Sequence, residues 1–158
     1  MQITLITVGK ISAVYLKQGI EVFRERIKHY VRLDVIEIAD IKNSNNLPSD
    51  DLKKRESELI CKHLTSDALI ILLDEKGKQM SSVTFAHFLE QQPAMNGNHH
   101  LIFIIGGALG VHSSLHKRVK FSMSLSNMTF THQMARLLFL EQLYRAFTII
   151  RGIPYHNN

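Results

Sequence analysis

Two rhythms alternate along this chain: near-continuous apolar runs, and stretches in which apolar residues recur every three or four positions. The first marks strands covered on both faces and the second marks helices with one buried side. Strands are expected over 2–8, 33–38, 68–73, 101–105 and 121–125. Between them, Leu16, Ile20, Phe23, Ile27 and Tyr30 trace a helix over 15–30, and Ser49, Asp50 and Asp51 cap a second that runs to 64. Ser81 or Ser82 caps a third ending at Gln92, a short helix covers 113–118, and a long one covers 132–150. Residues 40–48 read as a polar loop, 74–78 as a turn and 93–100 as a connector. Five strands alternating with helices predict an α/β fold, a mostly parallel helix-covered sheet in a single domain over 1–158.

In such a sheet a ligand sits outside the C-terminal strand ends, which directs attention to the last third of the chain. The fourth strand runs into Gly106-Gly107-Ala108-Leu109-Gly110, and the fifth into Ser126-Asn127-Met128-Thr129-Phe130-Thr131-His132-Gln133. The glycine cluster has neither the spacing of a dinucleotide fingerprint nor the Lys-Ser/Thr of a phosphate loop. It signals only that backbone passes close to a ligand or to another segment.

Composition narrows the class. At 45% apolar and 21% charged residues the chain is an ordinary globular protein, and no apolar run is long enough to span a bilayer. The opening segment reads as a strand and not as a secretion signal, and the single cysteine excludes an internal disulfide, so a cytoplasmic location is expected. The net charge of +5 is unevenly placed: residues 1–105 hold 13 basic and 13 acidic side chains, whereas 106–158 hold six against one. That excess surrounds the glycine loops and suits a polyanion such as RNA or a phosphorylated small molecule.

The last helix has no polar side. Leu137-Leu138-Phe139-Leu140 covers every face, which predicts burial against the sheet and against a second copy in a two-fold dimer. Within it Glu141 and Arg145, four apart with the acid first, form either a salt bridge at the dimer seam or a catalytic pair. His112 and His116 lack a third ligand and read as an exposed helix face, so no metal site is expected. Cys61, among Leu59, Ile60 and Leu64, reads as a packed thiol.

Taken together, the strand-GG-x-x-G segment, S-L-S-N-M-T-F-x-H-Q, L-E-Q-L-Y-R-A and the closing G-x-P-Y-H resemble the ribosomal RNA large-subunit methyltransferase H family of the SPOUT superfamily. The resemblance covers the whole chain, with one departure at Thr131, where relatives carry proline. It implies a SPOUT-type α/β knot with a C-terminal trefoil, and S-adenosylmethionine as methyl donor held mainly by backbone. The implied donor contacts are Leu73, Gly106, Leu125, Ser126, Asn127, Met128, Thr129 and Phe130. It further implies methyl transfer to N3 of a pseudouridine in helix 69 of 23S rRNA, on the assembled 70S ribosome. In that reaction Arg145 would face the developing negative charge, Glu141 would orient it, and Tyr155 and His156 would position the base, His156 also as proton acceptor. Lys117, Arg118, Lys120 and Arg136 would contact phosphates. Two other classes remain: a flavin- or nucleotide-binding module, which would use similar strand-end loops, and a non-catalytic ribosome-binding dimer, which would share the basic C-terminal segment.

Overall fold

The computed structural model describes residues 1–97 and 99–156, with 93–96 as backbone alone. Ten strands and α-helices follow in order: β1 (Gln2–Val8), α1 (Val14–Ile27), β2 (Arg32–Ile38), α2 (Ser49–Cys61), β3 (Leu69–Gln79), α3 (Ser82–Asn96), β4 (His100–Ile105), α4 (Ser113–His116), β5 (Phe121–Ser124) and α5 (His132–Ile150), with a short 3-10 turn over Ser44–Asn46. The five strands form one parallel sheet in the order β2-β1-β4-β3-β5.

Alternation along each strand divides the core into two layers, because successive side chains point to opposite faces. Ile3, Leu5, Leu101, Phe103 and Ile71 pack with α1, α3 and α5. Ile6, Val8, Ile102, Ile104, Ile70 and Leu72 pack on the other side with Ile60 of α2 and Leu115 of α4. Both faces are covered, so the central strands carry no polar face.

Three elements differ from the sequence expectation. Residues 74–78 are not a turn but part of β3, which bulges after Leu73 and pairs again through Lys78 with Met123 and Gln79 with Ser124. Met123 therefore faces two points of the same strand, and Gly77 lies flat on its backbone. A Cβ at Gly77 would sit 2.6 Å from both the nitrogen and the carbonyl carbon of Met123. The third helix runs through Pro93 to Asn96 and stops at Gly97, whose left-handed φ of +64° caps it; glycine, not proline, sets the end. The second helix begins after Pro48 without a side-chain cap, with Asp50 and Asp51 in its first turn against the positive end of the helix dipole.

Helix α5 matches its predicted span, but its covering differs. No residue from His132 to Ile150 is exposed within the single chain, since α1 and α3 flank the helix on the sheet. Apolarity on every face therefore does not by itself demand a second copy. What remains is an outer stripe, Met134, Leu138, Glu141, Arg145 and Ile149, spaced three or four apart and only half covered.

Candidate functional site

The C-terminal ends of β3, β4 and β5, with the β1–α1 connection, enclose an open cleft of about 1270 Å³. Leu72 and Leu73 end the regular part of β3, Ile105 ends β4 and Ser124 ends β5, so three strands deliver their following loops to one place. Of the eight residues expected to hold the methyl donor, Leu73, Gly106, Leu125, Ser126, Met128, Thr129 and Phe130 line this cleft. Asn127 does not, and it is exposed.

The glycines serve the loop's own closure. Gly107 and Gly110 form an isolated antiparallel bridge, with the Gly110 N–H donating to the Gly107 carbonyl at 3.0 Å, and Gly110 takes a left-handed φ of +79°. That conformation favours glycine and accounts for the second half of the spacing. At Gly106 a Cβ would meet Val111 Cγ1 at 2.8 Å and the Gly110 carbonyl carbon at 3.1 Å. At Gly107 it would meet Glu56 Oε2 at 2.6 Å. The loop is thus pressed on one side by its own return and on the other by a carboxylate of α2.

The opposite wall is held by local hydrogen bonds. Ser126 Oγ accepts from the Met128 N–H at 3.0 Å, the Ser126 carbonyl accepts from Ser124 Oγ at 2.8 Å, and Thr129 Oγ1 donates to Glu75 Oε2 at 2.9 Å. The last bond ties this loop to the bulge of β3. Thr131 Oγ1 then accepts from the Met134 N–H at 3.2 Å and caps α5. Its φ of −61° is one a proline ring also adopts, so the departure at this position leaves the backbone unchanged. Gln133 Oε1 accepts from the Ser12 N–H at 3.0 Å and joins the β1–α1 connection to the same rim. Met128 and Phe130 present exposed apolar side chains there.

The four residues singled out as catalytic converge elsewhere. Arg145 donates from Nε to Glu141 Oε1 at 3.0 Å and also from Nη2, while Tyr155 Oη donates to the same oxygen at 3.1 Å. Glu141 Oε2 accepts from Gln142 Nε2 at 2.7 Å, and Gln142 Oε1 accepts from Ser82 Oγ at 2.7 Å. The guanidinium lies 4.8 Å over the Tyr155 ring, whose edge meets Tyr144 at the same centroid distance. Arg145 Nη1 donates to His156 Nδ1 at 3.3 Å. Since arginine only donates, His156 Nδ1 accepts and its proton lies on Nε2. Hydrogen bonding to Glu141 holds the Arg145 pKa above its ordinary value, and burial followed by the Glu141 charge raises that of the Tyr155 hydroxyl. Ser82, at the start of α3, and Gln142, within the L-E-Q-L-Y-R-A segment, were not singled out as site residues; they complete the carboxylate's bonding.

None of these four lines the cleft. Ala135 is the last α5 residue on the cleft wall, and Arg145 lies ten positions on, about 15 Å along the helix axis. One chain therefore carries a pocket and a charged cluster that do not meet.

Arg136 is a correction. It is 2% exposed, donates to the Val8 and Gly9 carbonyls and pairs with Glu37 at 3.2 Å, so it cannot meet a phosphate. Burial lowers its pKa, opposed by Glu37 and Asp40. Its place is structural: it fastens α5 to the ends of β1 and β2. Lys117, Arg118 and Lys120 are exposed. His112 precedes α4 and caps it, its Nδ1 accepting from the Ser114 N–H, while His116 lines the cleft; the two do not share an exposed helix face. Cys61 is half-buried against the second core layer.

A family model described as "Predicted SPOUT methyltransferase" matches residues 1–156. Among curated proteins the chain is 46% identical to a protein of Acetivibrio thermocellus and 45% identical to one of Carboxydothermus hydrogenoformans, over 99% of both chains in each case. It is 42% identical, over 99% of both chains, to a protein of Bacteroides fragilis. All three carry the name Ribosomal RNA large subunit methyltransferase H.

Proposed function

The chain belongs to the ribosomal RNA large-subunit methyltransferase H family of SPOUT methyltransferases, and from that premise we propose that it methylates 23S rRNA with S-adenosylmethionine. The target is N3 of a pseudouridine in helix 69 of the assembled 70S ribosome, and the working unit is a cytoplasmic homodimer. In that unit the cleft of one protomer is completed by Glu141, Arg145, Tyr155 and His156 of its partner. The observation that carries this reading is the separation just described: the cleft and the cluster lie on one helix, about 15 Å apart. A two-fold axis across the half-covered stripe of α5 would bring each cluster to the other chain's cleft. In this reading β5 and α5 thread past the bulge of β3, with Gly77 against Met123 as the crossing of the knot.

The residues fit the donor. Its cradle is built of the glycine-rich backbone at 106–110 and of Leu125, Ser126, Met128 and Thr129, with Leu72, Leu73 and Ile105 as an apolar floor, suited to an adenine ring and to amide hydrogen bonding. Bound S-adenosylmethionine supplies an electrophilic methyl on sulfur. Transfer to N3 requires an N3 lone pair, and in the neutral ring that nitrogen carries a proton. Arg145, held rigid by Glu141 and by the face of Tyr155, places a fixed positive charge where the ring anion develops. Tyr155 keeps its proton and serves as an aromatic platform. His156, turning away from Arg145 Nη1, accepts the N3 proton at Nδ1 while Nε2 keeps its own proton, so the imidazole leaves the step as imidazolium. Lys117, Arg118 and Lys120 engage phosphates of the ribosomal surface.

The test is transfer of labelled methyl from S-adenosylmethionine to ribosomes that lack the modification, with ribosomes lacking pseudouridine as control. Labelling of the first alone is expected. Equal labelling of both, or of neither, contradicts the reading.

A further inference from the structure

Behind the glycine loop lies a second, smaller cavity of about 160 Å³ whose wall includes Asp40, Ser44, Glu56 and His132. Gly107, Ala108, Leu109 and His132 line both this chamber and the main cleft, so the two are neighbours across one loop. Glu56 is 9% exposed, faces the chamber and has no hydrogen-bond or ion-pair partner among the described residues. The side chain is covered but its oxygens are not sealed in protein, so a ligand that enters the chamber can reach them. No lysine or arginine lines the chamber, and the His132 imidazole is pushed down by burial and by Arg136, with Asp40 opposing. Burial, then Asp40, raises the Glu56 pKa, as expected of two acids facing a space with no cation. No described group of three or more His, Cys, Asp or Glu side chains is placed to hold a metal ion. The chamber therefore suits a small organic cation that donates hydrogen bonds.

We infer that Glu56, assisted by Asp40, receives the ammonium group of the methyl donor's amino-acid tail. This rests on the donor occupying the main cleft, whose loop the chamber shares. Glu56, the carboxylate behind Gly107, thereby becomes a determinant of selectivity for donors that carry an amine.

Calorimetric titration tests it with three ligands: S-adenosylmethionine, its decarboxylated form, which keeps the amine, and 5′-methylthioadenosine, which has no tail. Wild type should bind all three. E56Q should weaken the first two by about tenfold or more and leave 5′-methylthioadenosine within about twofold. D40N, at an exposed position, should show the same pattern with a smaller loss. Equal weakening of all three ligands would mean that Glu56 only shapes the loop, and no weakening would mean that it touches nothing; either result overturns the inference. Failure of wild type to bind any of the three would overturn the donor cleft itself, and this inference with it.

Discussion

Replacing Gly77 by alanine tests the packing that shapes the cleft. The new Cβ would lie 2.6, 2.6 and 2.8 Å from the nitrogen, carbonyl carbon and Cα of Met123. Carbon contacts settle near 3.5–4.0 Å, so the bulge of β3 and β5 must separate by roughly 1 Å. The obstacle is backbone, which cannot rotate aside. Separation would stretch the Lys78–Met123 and Gln79–Ser124 pairings and the Thr129–Glu75 bond that joins the cleft walls. Overpacking against a fixed neighbour costs about 3 kcal/mol. For a chain of this length that corresponds to a fall in Tm of about 6–12 °C. Thermal unfolding followed by circular dichroism measures it, with Gly97→Ala as control. A Cβ at Gly97 meets nothing within 4 Å, and only its φ of +64° resists, at about 1–2 kcal/mol. Calorimetry should show weakened donor binding in Gly77→Ala and not in Gly97→Ala. If Gly77→Ala melts no lower than Gly97→Ala, the close crossing of β3 and β5 is wrong.

Other outcomes follow from the same structure. The Glu56 carboxyl has a pKa raised above 4.5, so its ionisation opposes folding; E56Q should be more stable than wild type near pH 7, and urea titrations should show the difference vanishing as pH falls toward 4.5. Thr131→Pro fits the φ of −61° but loses the cap to Met134, so its Tm should stay within about 4 °C of wild type. Ribosome binding by Arg118→Ala should show a salt dependence shallower by about one unit of slope than wild type, measured by filter binding between low and moderate salt. Arg136→Ala should instead lower Tm by about 6 °C or more by orphaning the buried Val8 and Gly9 carbonyls and releasing Glu37, with no comparable change in salt slope among the folded molecules.

Much of this arrangement was legible in the residues. The central strands announce themselves because a sheet covered on both faces admits only apolar runs, and α5 because no polar side interrupts it. The extension of β3 was not legible: residues 74–79 are polar, and what makes them a strand is a remote four-residue partner, β5. The charge of Arg136 could not tell a phosphate from a cage of carbonyls, since both ask for the same guanidinium. Glu141 and Arg145 were visible from their spacing, whereas Gln142 and Ser82 acquire their role only through tertiary contact. The glycine cluster signals backbone close to a ligand or to another segment; its geometry shows the second at Gly106 and Gly110, which let the turn close upon itself.

The central claim, a cleft from one protomer completed by the cluster of its partner, is tested most directly by subunit mixing. One inactive variant blocks the cleft at Gly106→Leu, where a side chain collides with Val111, and the other removes the cluster's charge at Arg145→Ala. Each alone should leave ribosomes unmethylated. Refolded together, half of the dimers pair the two variants, and one of the two sites in each such dimer is intact, so about a quarter of wild-type methylation should return. Mixtures as inactive as either parent would show that cleft and cluster act within one chain, and would contradict the account.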